Sequence, residues 1–312
     1  MEIKEIPSDV ELYDVMGGCS RWDIRVHEHG LISLVDVMPR MAPVGQTADY
    51  AVVQAARVSY GHGTKRMLED EGLARYLLRH LHTTPYEMVE FKFHCRVPMF
   101  VARQWLRHRT ANVNEYSARY SMMPDMFYVP STDDVRRQST HNRQGGDDSM
   151  DEMTTGEFLT YLDEMHVATY GMYQEFLEKG VTREQARIAL PVSVYTEFYW
   201  KCDLHNILHF LKLRMDSHAQ KEIRDYANAM FELVKAACPV AAQAFVDYIQ
   251  ETVTLTRLEV EAIRTGSATI GTTNTRERKE WEEKRTLMGL EMYTYGRNDN
   301  IDEADSGASD AC

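Results

Sequence analysis

The stretch VEFKFHCRVPMFVARQWLRHR, residues 89–109, contains two hydrophobic periods in direct succession. In its first nine residues apolar and polar side chains alternate without interruption, as they do in a strand that buries one face. Pro98 then stands where a helix can begin, because proline is tolerated at the first helical position. Val101, Ala102 and Trp105 follow at helical spacing. The stretch therefore predicts a half-buried strand that leads directly into a helix.

Strand patterns occur mainly in the first half of the chain, and helix patterns dominate the second half. Residues 31–38, LISLVDVM, are typical of a buried strand, and the polar segment 138–156 is predicted to be a loop. We predict an α+β fold in which a mixed or antiparallel sheet packs with long helices. Helices are predicted from Thr47, over 65–81, over 157–179, from Leu204 to Leu211 and from Ile223 to Val234.

The composition changes beyond about residue 252. The segment RERKEWEEKR, residues 276–285, has opposite charges four residues apart and predicts a solvated helix. Residues 298–312 contain five acidic side chains and no basic ones, so we expect a disordered tail. We therefore divide the chain into a domain at 1–251 and an extension at 252–312, which is helical and charged before the acidic tail.

The chain of 312 residues has a formal net charge of −13, which argues against a general nucleic-acid or membrane-surface binder. No apolar run reaches the roughly 18 residues that a membrane span needs. The first 14 residues, MEIKEIPSDVELYD, are acidic and lack the apolar core of a signal peptide. Five cysteines lie far apart without a CxxC pair, so free thiols in a reducing compartment are expected. These features predict a cytoplasmic protein without nucleic-acid or membrane partners.

The segment RQWLRHRTANVNEYSARYS, residues 103–121, is basic within this acidic chain, with four arginines and a single carboxylate, that of Glu115. Guanidinium groups present planar forks of donors that suit phosphates and planar carbonyl edges. Arg107 and Arg109 cannot share one helical face, but at a helix-to-loop junction they can contact two ligands. A small anionic ligand is therefore expected here. The alternatives are ion pairs with acids elsewhere in the chain, or contact with RNA.

The sequence RHRTANVNEYSAR, residues 107–119, resembles the RHR-x7-S signature of the flavin-dependent thymidylate synthases. Further blocks resemble the same family in their order and spacing, so that the resemblance covers about residues 30–250. These blocks are AARVSYG (55–61), TPYE (84–87), VPMFVARQWLRHR (97–109), EQARIALP (184–191) and FLKLRMDSHAQ (210–220).

The resemblance implies the conversion of dUMP to dTMP, with 5,10-methylenetetrahydrofolate as the carbon donor. It also implies electrons from NADPH that pass through a tightly bound FAD, and a homotetramer whose active sites are built across subunits. Contacts with dUMP are implied for Gln104, Arg107, Glu115, Ser117, Arg119, Arg187 and Arg214. Contacts with FAD are implied for Ser59, His82, Thr84, Arg107, His108, Arg109, Glu115, Asp203, His205 and His209.

Arg214 is the residue for which the resemblance implies a catalytic role, opposite the edge of the uracil ring. A guanidinium stays protonated at any working pH and, placed against an imide, stabilises the anion that makes carbon C5 nucleophilic. This is electrostatic stabilisation and not proton transfer. The alternative is an arginine at a helix end that binds carbonyl groups or a carboxylate such as that of Asp216.

Three positions depart from the family pattern. Better-known members have an Asn-x-Arg pair where this chain has Asp203 and His205, and often an asparagine in place of His209. An ionised acid at 203 cannot donate a hydrogen bond as an amide does. The two histidines also lie four residues apart, a helical spacing that metal ions use. No glutamate stands between them as in HExxH, however, and we predict no metal site.

Ser117 permits a different chemistry, because a serine acts as a nucleophile when a base is positioned beside it. His108 is nine residues away and could be that base, whereas the implied chemistry fits a ligand role for Ser117. No cysteine lies in the Pro-Cys-His context of the cysteine-dependent thymidylate synthases. The remaining alternatives are a non-enzymatic nucleotide- or RNA-binding protein that uses the arginine cluster, and a helical metalloprotein that uses His205 and His209.

Overall fold

The computed structural model describes residues 11–15, 19–40, 45–58, 70–140 and 144–290. The chain divides into two units, Met1–Gln250 and Glu251–Cys312, and its mixture of strands and helices confirms the predicted α+β class. The strands are β1 (Glu11–Val15), β2 (Cys19–Val26), β3 (Gly30–Met38), β4 (Glu90–Pro98), β5 (Asn112–Glu115), β6 (Arg136–Gln138), β7 (Gly146–Ser149) and β8 (Tyr195–Asp203). The helices are α1 (Asp49–Val58), α2 (Asp70–Arg79), α3 (Met99–Trp105), α4 (Glu152–Glu178), α5 (Arg183–Ala186), α6 (Leu204–Arg214), α7 (Lys221–Ala237), α8 (Pro239–Phe245), α9 (Arg257–Thr265) and α10 (Thr275–Leu287).

Six strands of the first unit form one sheet in the order β1-β2-β3-β4-β8-β5, and each of its pairs is antiparallel. In the centre of the sheet β4 pairs with β8, with Glu90 opposite Asp203 and Pro98 opposite Tyr195. Helix α3 follows β4 and helix α6 follows β8. The pairing of these two strands therefore decides where the two helices leave the sheet.

The alternation predicted for β4 is confirmed. Phe91, Phe93, Cys95 and Val97 are each 0% exposed, whereas Lys92 on the opposite face is exposed. Because side chains of a strand point alternately to its two faces, one face of the sheet forms the core and the other carries polar groups.

Helix α3 begins at Met99, directly after Pro98, as the sequence predicts. Trp105 at its end is fully buried, and its ring centroid lies 4.6 Å from that of Phe210 in α6 and 5.8 Å from that of Trp200 in β8. Large aromatic side chains of this kind bury much apolar surface, which stabilises the packing of both helices on the sheet. The ends of α3 and α6 are thereby held on a common core.

The prediction of a loop over 138–156 is wrong for part of that segment. The short strands β6 and β7 form a two-stranded antiparallel sheet with Arg136 opposite Ser149. All residues of both strands are exposed, so no apolar alternation marks them in the sequence. Gly146 permits the close pairing, because a Cβ atom there would lie 2.6 Å from the Cβ atom of Arg136.

Helix α4 also begins inside the predicted loop, at Glu152 rather than at 157. Its start is fixed by Asp151, whose side-chain Oδ1 accepts a hydrogen bond from the backbone N–H of Thr154 at 3.0 Å. An aspartate in this position satisfies one of the free N–H groups of the first turn.

The second unit has its own small core, in which Ala262, Ile270 and Trp281 are buried. Helix α10 confirms the helix predicted over 276–285, but that helix is not solvated on all sides. Trp281 is only 2% exposed, and its indole N–H donates to the carbonyl oxygen of Ala268 at 3.0 Å. The predicted acidic tail at 298–312 lies outside the described residues.

Cys95, Cys202 and Cys238 are free thiols and are buried. Cys312 and the side chain of Cys19 lie outside the described part of the chain. Over the ranges that the structure describes, none of the helices combines the length and the apolar character that a membrane span requires.

Candidate active site

The arginine-rich segment starts where helix α3 ends. Trp105 is the last residue of this helix and is buried in the core. The backbone N–H of His108 donates to the carbonyl oxygen of Trp105 at 3.0 Å. The three residues that follow Leu106 leave the helix, so Arg107 and Arg109 are exposed while His108 is partly buried. The predicted helix-to-loop junction is therefore present, with a histidine directed toward the core between two exposed guanidinium groups.

Arg214, the last residue of α6, joins this junction. Its Nε donates to Nε2 of His108 at 3.0 Å, and its Nη2 donates to the carbonyl oxygen of Gln104 at 3.2 Å. The His108 ring packs edge-on against Phe210, with 4.9 Å between ring centroids. One guanidinium group thus connects the ends of α3 and α6, and two hydrogen bonds fix its orientation. We call Gln104, His108 and Arg214 the arginine centre.

The protonation states at the arginine centre follow from these contacts. Partial burial, together with the neighbouring Arg214 and His209, lowers the pKa of His108 to about 4. His108 is therefore neutral at neutral pH, and Nε2 must be its unprotonated nitrogen because it accepts a hydrogen bond. Partial burial and, secondly, the charge of Arg107 lower the pKa of Arg214, which still remains protonated.

The alternative for Arg214, an arginine paired with Asp216, is not what the structure contains. Asp216 accepts hydrogen bonds from the backbone N–H of His218 at 2.8 Å and from Nδ1 of the same residue at 2.9 Å. Arg214 does bind a carbonyl oxygen, but that oxygen belongs to Gln104 of another helix. Among the described residues, no further hydrogen bond uses its remaining N–H donors, and its catalytic role stays a prediction.

A second set of predicted residues consists of Ser117, Arg119 and Arg187, together with Glu184, the partner of both arginines. We call it the exposed group after its exposed Arg119–Glu184 ion pair, although Ser117 and Arg187 are partly buried. Arg119 forms an ion pair with Glu184 at 3.3 Å, in which the two side chains are 54% and 60% exposed. Nε of Arg187 donates to the backbone carbonyl oxygen of Glu184 at 3.4 Å. The carbonyl oxygen of Ser117 accepts hydrogen bonds from the turn that follows it. Solvent screens charges in such a setting.

Ser117 has no support as a nucleophile with His108 as its base. Its hydroxyl oxygen accepts a hydrogen bond from the backbone N–H of Arg119 at 3.4 Å. Nε2 of His108, the ring atom with a free electron pair, is already occupied by Arg214. A base needs that pair in order to take a proton from the serine. The geometry favours a ligand role for Ser117.

The predicted flavin residues lie in several elements. His82 is exposed and its ring lies 6.1 Å from that of Tyr76, while Thr84 opens a short 3-10 helix, Thr84–Met88. Glu115 ends the edge strand β5 and accepts a hydrogen bond from the hydroxyl group of Thr196 at 2.8 Å. Ser59 lies outside the described residues.

Asp203 has a structural task at the start of α6. Its carboxylate accepts hydrogen bonds from the backbone N–H of Asn206 at 2.9 Å and from the side-chain amide of the same residue at 2.8 Å. His205 and His209 follow on this helix, and the His209 ring lies 6.2 Å from that of His108. Across the described ranges, no set of three or more His, Cys, Asp or Glu side chains is arranged to hold a metal ion.

Comparisons with known proteins decide the family. A family model described as "Thymidylate synthase complementing protein" matches residues 37–240, which is more than half of the chain. A flavin-dependent thymidylate synthase of Dictyostelium discoideum is 63% identical over 286 residues, 92% of this chain and 94% of that protein. A protein of the same description from Thermus thermophilus is 50% identical and covers 77% of this chain and 84% of that protein. The chain belongs to the flavin-dependent thymidylate synthase family.

Two solved structures resemble this chain in fold. Both are of PolB, a UMP/dUMP methylase from Streptomyces cacaoi, bound with 5-Br UMP or with 5-Br dUMP. The first has a TM-score of 0.63 and 30% identity, and the second has a TM-score of 0.63 and 31% identity. Each match covers 73% of this chain and 99% of the PolB chain. Family membership confirms the resemblance of the RHR block and favours an enzyme over an RNA-binding protein or a helical metalloprotein.

Three residues of the candidate site were not predicted to have a role. Gln220 accepts a hydrogen bond from the side-chain amide of Gln104, Thr196 binds Glu115, and Glu184 pairs with Arg119. Gln220 and Glu184 lie within the blocks that resemble the family, which is the one signal that could have marked them. Thr196 has no such signal, because its contact depends on the pairing of β5 with β8.

Proposed function

We propose that this chain converts dUMP to dTMP, with 5,10-methylenetetrahydrofolate as the carbon donor and FAD reduced by NADPH as the source of hydride. The observation that carries the proposal is the Arg214 guanidinium, held by His108 and Gln104 at a junction of exposed arginines in a member of this family. We place this activity in residues 1–251 and treat 252–312 as an extension. The Dictyostelium match reaches into that extension, since its 286 residues exceed the 250 of the first unit.

Arg214 has the properties that the chemistry requires. A protonated guanidinium against the imide edge of uracil stabilises negative charge as it develops, so that C5 becomes nucleophilic. Partial burial strengthens this electrostatic effect relative to an arginine in bulk water. His108 is a positioning residue in this proposal. As a neutral acceptor it directs the guanidinium without competing for the negative charge.

The chain needs no cysteine nucleophile for this reaction. Burial raises the pKa of the Cys95 and Cys238 thiols well above the usual range. Burial also raises the pKa of Cys202, whose thiol donates to the carbonyl oxygen of Thr110. None of these three described thiols is therefore available as a thiolate.

We assign the binding of dUMP to residues of both sets. Arg119, which is exposed, and Arg187, which is partly buried, would hold the phosphate, because guanidinium forks bind phosphate oxygens in pairs. Ser117 would add one neutral hydrogen bond. Gln104, Arg107, Glu115 and Arg214 complete the set that we propose for the nucleotide.

The residues present fit FAD. Neither Arg107 nor Arg109 forms a side-chain hydrogen bond or an ion pair with the residues that the structure describes, so both guanidinium groups can bind a diphosphate. FAD, when bound, supplies the hydride for the transfer. Asp203 would act through its cap on α6 rather than as a donor. The other residues that we propose for the cofactor are Ser59, His82, Thr84, His108, Glu115, His205 and His209.

We also propose the homotetramer, in the cytoplasm. An exposed apolar stripe runs along α4 at spacings of three, four and seven residues, as expected of a helix that packs on another copy of the chain. A neighbouring subunit could in addition complete the exposed group. The stripe consists of Phe158, Tyr161, Met165, Met172 and Phe176.

The experiment that tests the proposal combines a spectrum with an assay. The purified protein should show flavin absorbance in the visible region, and it should form dTMP only when dUMP, methylenetetrahydrofolate and NADPH are all present. A preparation that stays colourless after addition of FAD, and that binds no dUMP in a calorimeter, would refute the proposed function. Binding of RNA that weakens steeply with salt, without flavin, would support the nucleic-acid alternative.

A further inference from the structure

A cleft of about 820 Å³ lies between the β6-β7 hairpin and the segment that joins α6 to α7. Its volume is within the range of roughly 300–1,000 Å³ that is usual for small-molecule sites. The hairpin contributes Arg136, Arg137 and Gln138, and the other wall contributes Gln220, Lys221 and Arg224. Gln220 connects this cleft to the arginine centre, and the reaction proposed above assigns no role to the cleft itself.

Acidic side chains also line the cleft, but each has a partner. Asp134 forms an ion pair with Lys221 at 3.2 Å, and Glu222 accepts a hydrogen bond from the hydroxyl group of Tyr128 at 3.0 Å. Asp147 accepts a hydrogen bond from the backbone N–H of Thr140 at 3.3 Å. Asp134 is therefore paired with a cation, and the carboxylates of Glu222 and Asp147 are held by neutral donors.

Two of the cations, in contrast, have no described carboxylate within ion-pair distance, although Arg136 acts electrostatically on Asp134 and Arg224 on Asp216 from farther away. Lys221 is paired with Asp134, and Arg137 is paired with Asp151 at 3.2 Å. Arg224 donates to the backbone carbonyl oxygen of Ser217 at 2.7 Å, and neither it nor Arg136 forms an ion pair within the described ranges. Two guanidinium groups thus remain to attract an anion into the cleft.

The cleft begins next to the arginine centre. Gln220 lines the cleft and accepts a hydrogen bond from the side chain of Gln104. The carbonyl oxygen of the same Gln104 binds the guanidinium of Arg214. A molecule whose reactive end lies at Arg214 could therefore extend past Gln220 and place a distant anionic part between Arg136 and Arg224.

We propose that this cleft binds the anionic tail of a co-substrate, through the guanidinium groups of Arg136 and Arg224. The inference rests on the proposed function, in which two co-substrates carry such a tail. The folate can carry a chain of glutamates, and NADPH carries phosphates far from its nicotinamide ring. The shared chemistry is a row of carboxylate or phosphate oxygens, with the side-chain amide of Gln220 as a further donor.

The test compares KM values for two pairs of co-substrates. One pair is methylenetetrahydrofolate with one or with five glutamates, and the other is NADH and NADPH. Arg136→Gln removes one partly screened charge from the cleft. In one of the two pairs, it should raise the KM of the longer or more charged member by roughly three- to tenfold relative to the KM of the other member. A changed KM ratio in the folate pair would identify a glutamate tail as the ligand of the cleft. A changed KM ratio in the nicotinamide pair would identify a phosphate.

Two variants control this test. Arg136→Lys keeps the positive charge, so its ratio of KM values within each pair should be close to that of the wild type. Arg257→Gln removes an exposed arginine of the second unit that pairs with Glu261, and it should leave both ratios unchanged. The effect of Arg136→Gln should also shrink at high salt, since salt screens exposed charges. Ratios in both pairs that stay within twofold of wild type would overturn the inference.

A direct binding measurement separates this inference from the proposed function. If the wild-type protein forms no dTMP, the function fails, but calorimetry with tri-γ-glutamate and with pyrophosphate still examines the cleft. Binding that Arg136→Gln weakens and Arg257→Gln does not would support the anion site. Absence of binding would overturn the inference. Dissociation of the oligomer in Arg136→Glu would also overturn it, because it would mean that another copy of the chain fills the cleft.

Discussion

The arginine centre and the exposed group differ in how completely the chain itself organises them. In the arginine centre, Arg214 is partly buried and is fixed by hydrogen bonds of 3.0 and 3.2 Å to two residues of the α3 end. In the exposed group, Arg119 has one ion pair, at 3.3 Å, with a partner that is 60% exposed. The guanidinium of the first set is oriented by two hydrogen bonds within the chain, whereas that of Arg119 is held by an exposed ion pair that water can replace.

This difference separates two kinds of contribution to a reaction. A preorganised and partly buried charge costs little reorganisation when negative charge develops on the substrate, so it acts on the transition state. A solvated arginine that exchanges one anionic partner for another acts mainly on binding. We therefore expect changes in the arginine centre to lower kcat, and changes in the exposed group to raise KM.

The largest effect is expected for Arg214→Ala. The variant should keep its flavin but lose about 10²–10³-fold in kcat, because an oriented positive charge is removed from the site of developing negative charge. Flavin content is measured from visible absorbance, and kcat from dTMP formation at saturating dUMP. Arg214→Lys should recover little of the loss, since an ammonium group lacks the planar fork that His108 and Gln104 orient. Unimpaired dTMP formation by Arg214→Ala would remove the catalytic assignment.

A smaller effect is expected for Arg119→Ala, which should raise KM for dUMP by about 10–100-fold while kcat changes little. The loss corresponds to charge-assisted hydrogen bonds to a phosphate. The matched control is Glu184→Gln, which removes the present partner of Arg119. An exposed ion pair is worth about 0–1 kcal/mol, so this variant should lower KM slightly, by less than about fivefold. An increase of KM in both variants would mean that Arg119 needs Glu184 and does not bind phosphate.

The fold was predictable where burial imposes a period on the sequence. Strand β4 alternates because one of its faces is the core, and Pro98 marks the start of α3. The β6-β7 hairpin gave no such signal, because its side chains are all exposed. The order of strands depends on contacts between distant segments, such as that of β4 with β8, which no local pattern contains.

The candidate site was predictable as a set of residues but not as an arrangement. The RHR block identified Arg107, His108 and Arg109 in the sequence. The hydrogen bond between His108 and Arg214 joins positions 106 residues apart, and it makes the histidine an acceptor rather than a further cation. That distinction depends on burial, which a motif does not specify. The pairing of Arg119 with Glu184 was equally hidden, although both residues lie in blocks that resemble the family.

Ser117→Ala should have a modest effect that sharpens the same comparison. Its hydroxyl group would contribute one neutral hydrogen bond to dUMP, so KM should rise by about 2–12-fold with little change in kcat. Steady-state kinetics over a wide range of dUMP concentrations separates the two parameters. Complete loss of turnover at saturating dUMP would contradict the ligand role and would require a chemical role for this serine.

The smallest effect concerns the protonation of His108. The unfolded chain binds a proton at this residue near its usual pKa of 6.5, and the folded chain does so only at about 4. As the pH falls through this window the unfolded state gains protons first, so stability decreases. His108→Gln keeps an acceptor for Arg214 but cannot titrate, and it should therefore lose less stability than wild type over the same window. Because the ring is only partly buried, solvent screening limits the difference to about 1 kcal/mol, or about 2–4 °C in Tm.

Thermal unfolding at a series of pH values, with His80→Gln as a control for an exposed histidine, measures this difference. Equal pH dependence in wild type and His108→Gln would show that the histidine is not held neutral by its surroundings. The arginine centre would then be no more preorganised than the exposed group, and the expected division between kcat and KM would lose its physical basis.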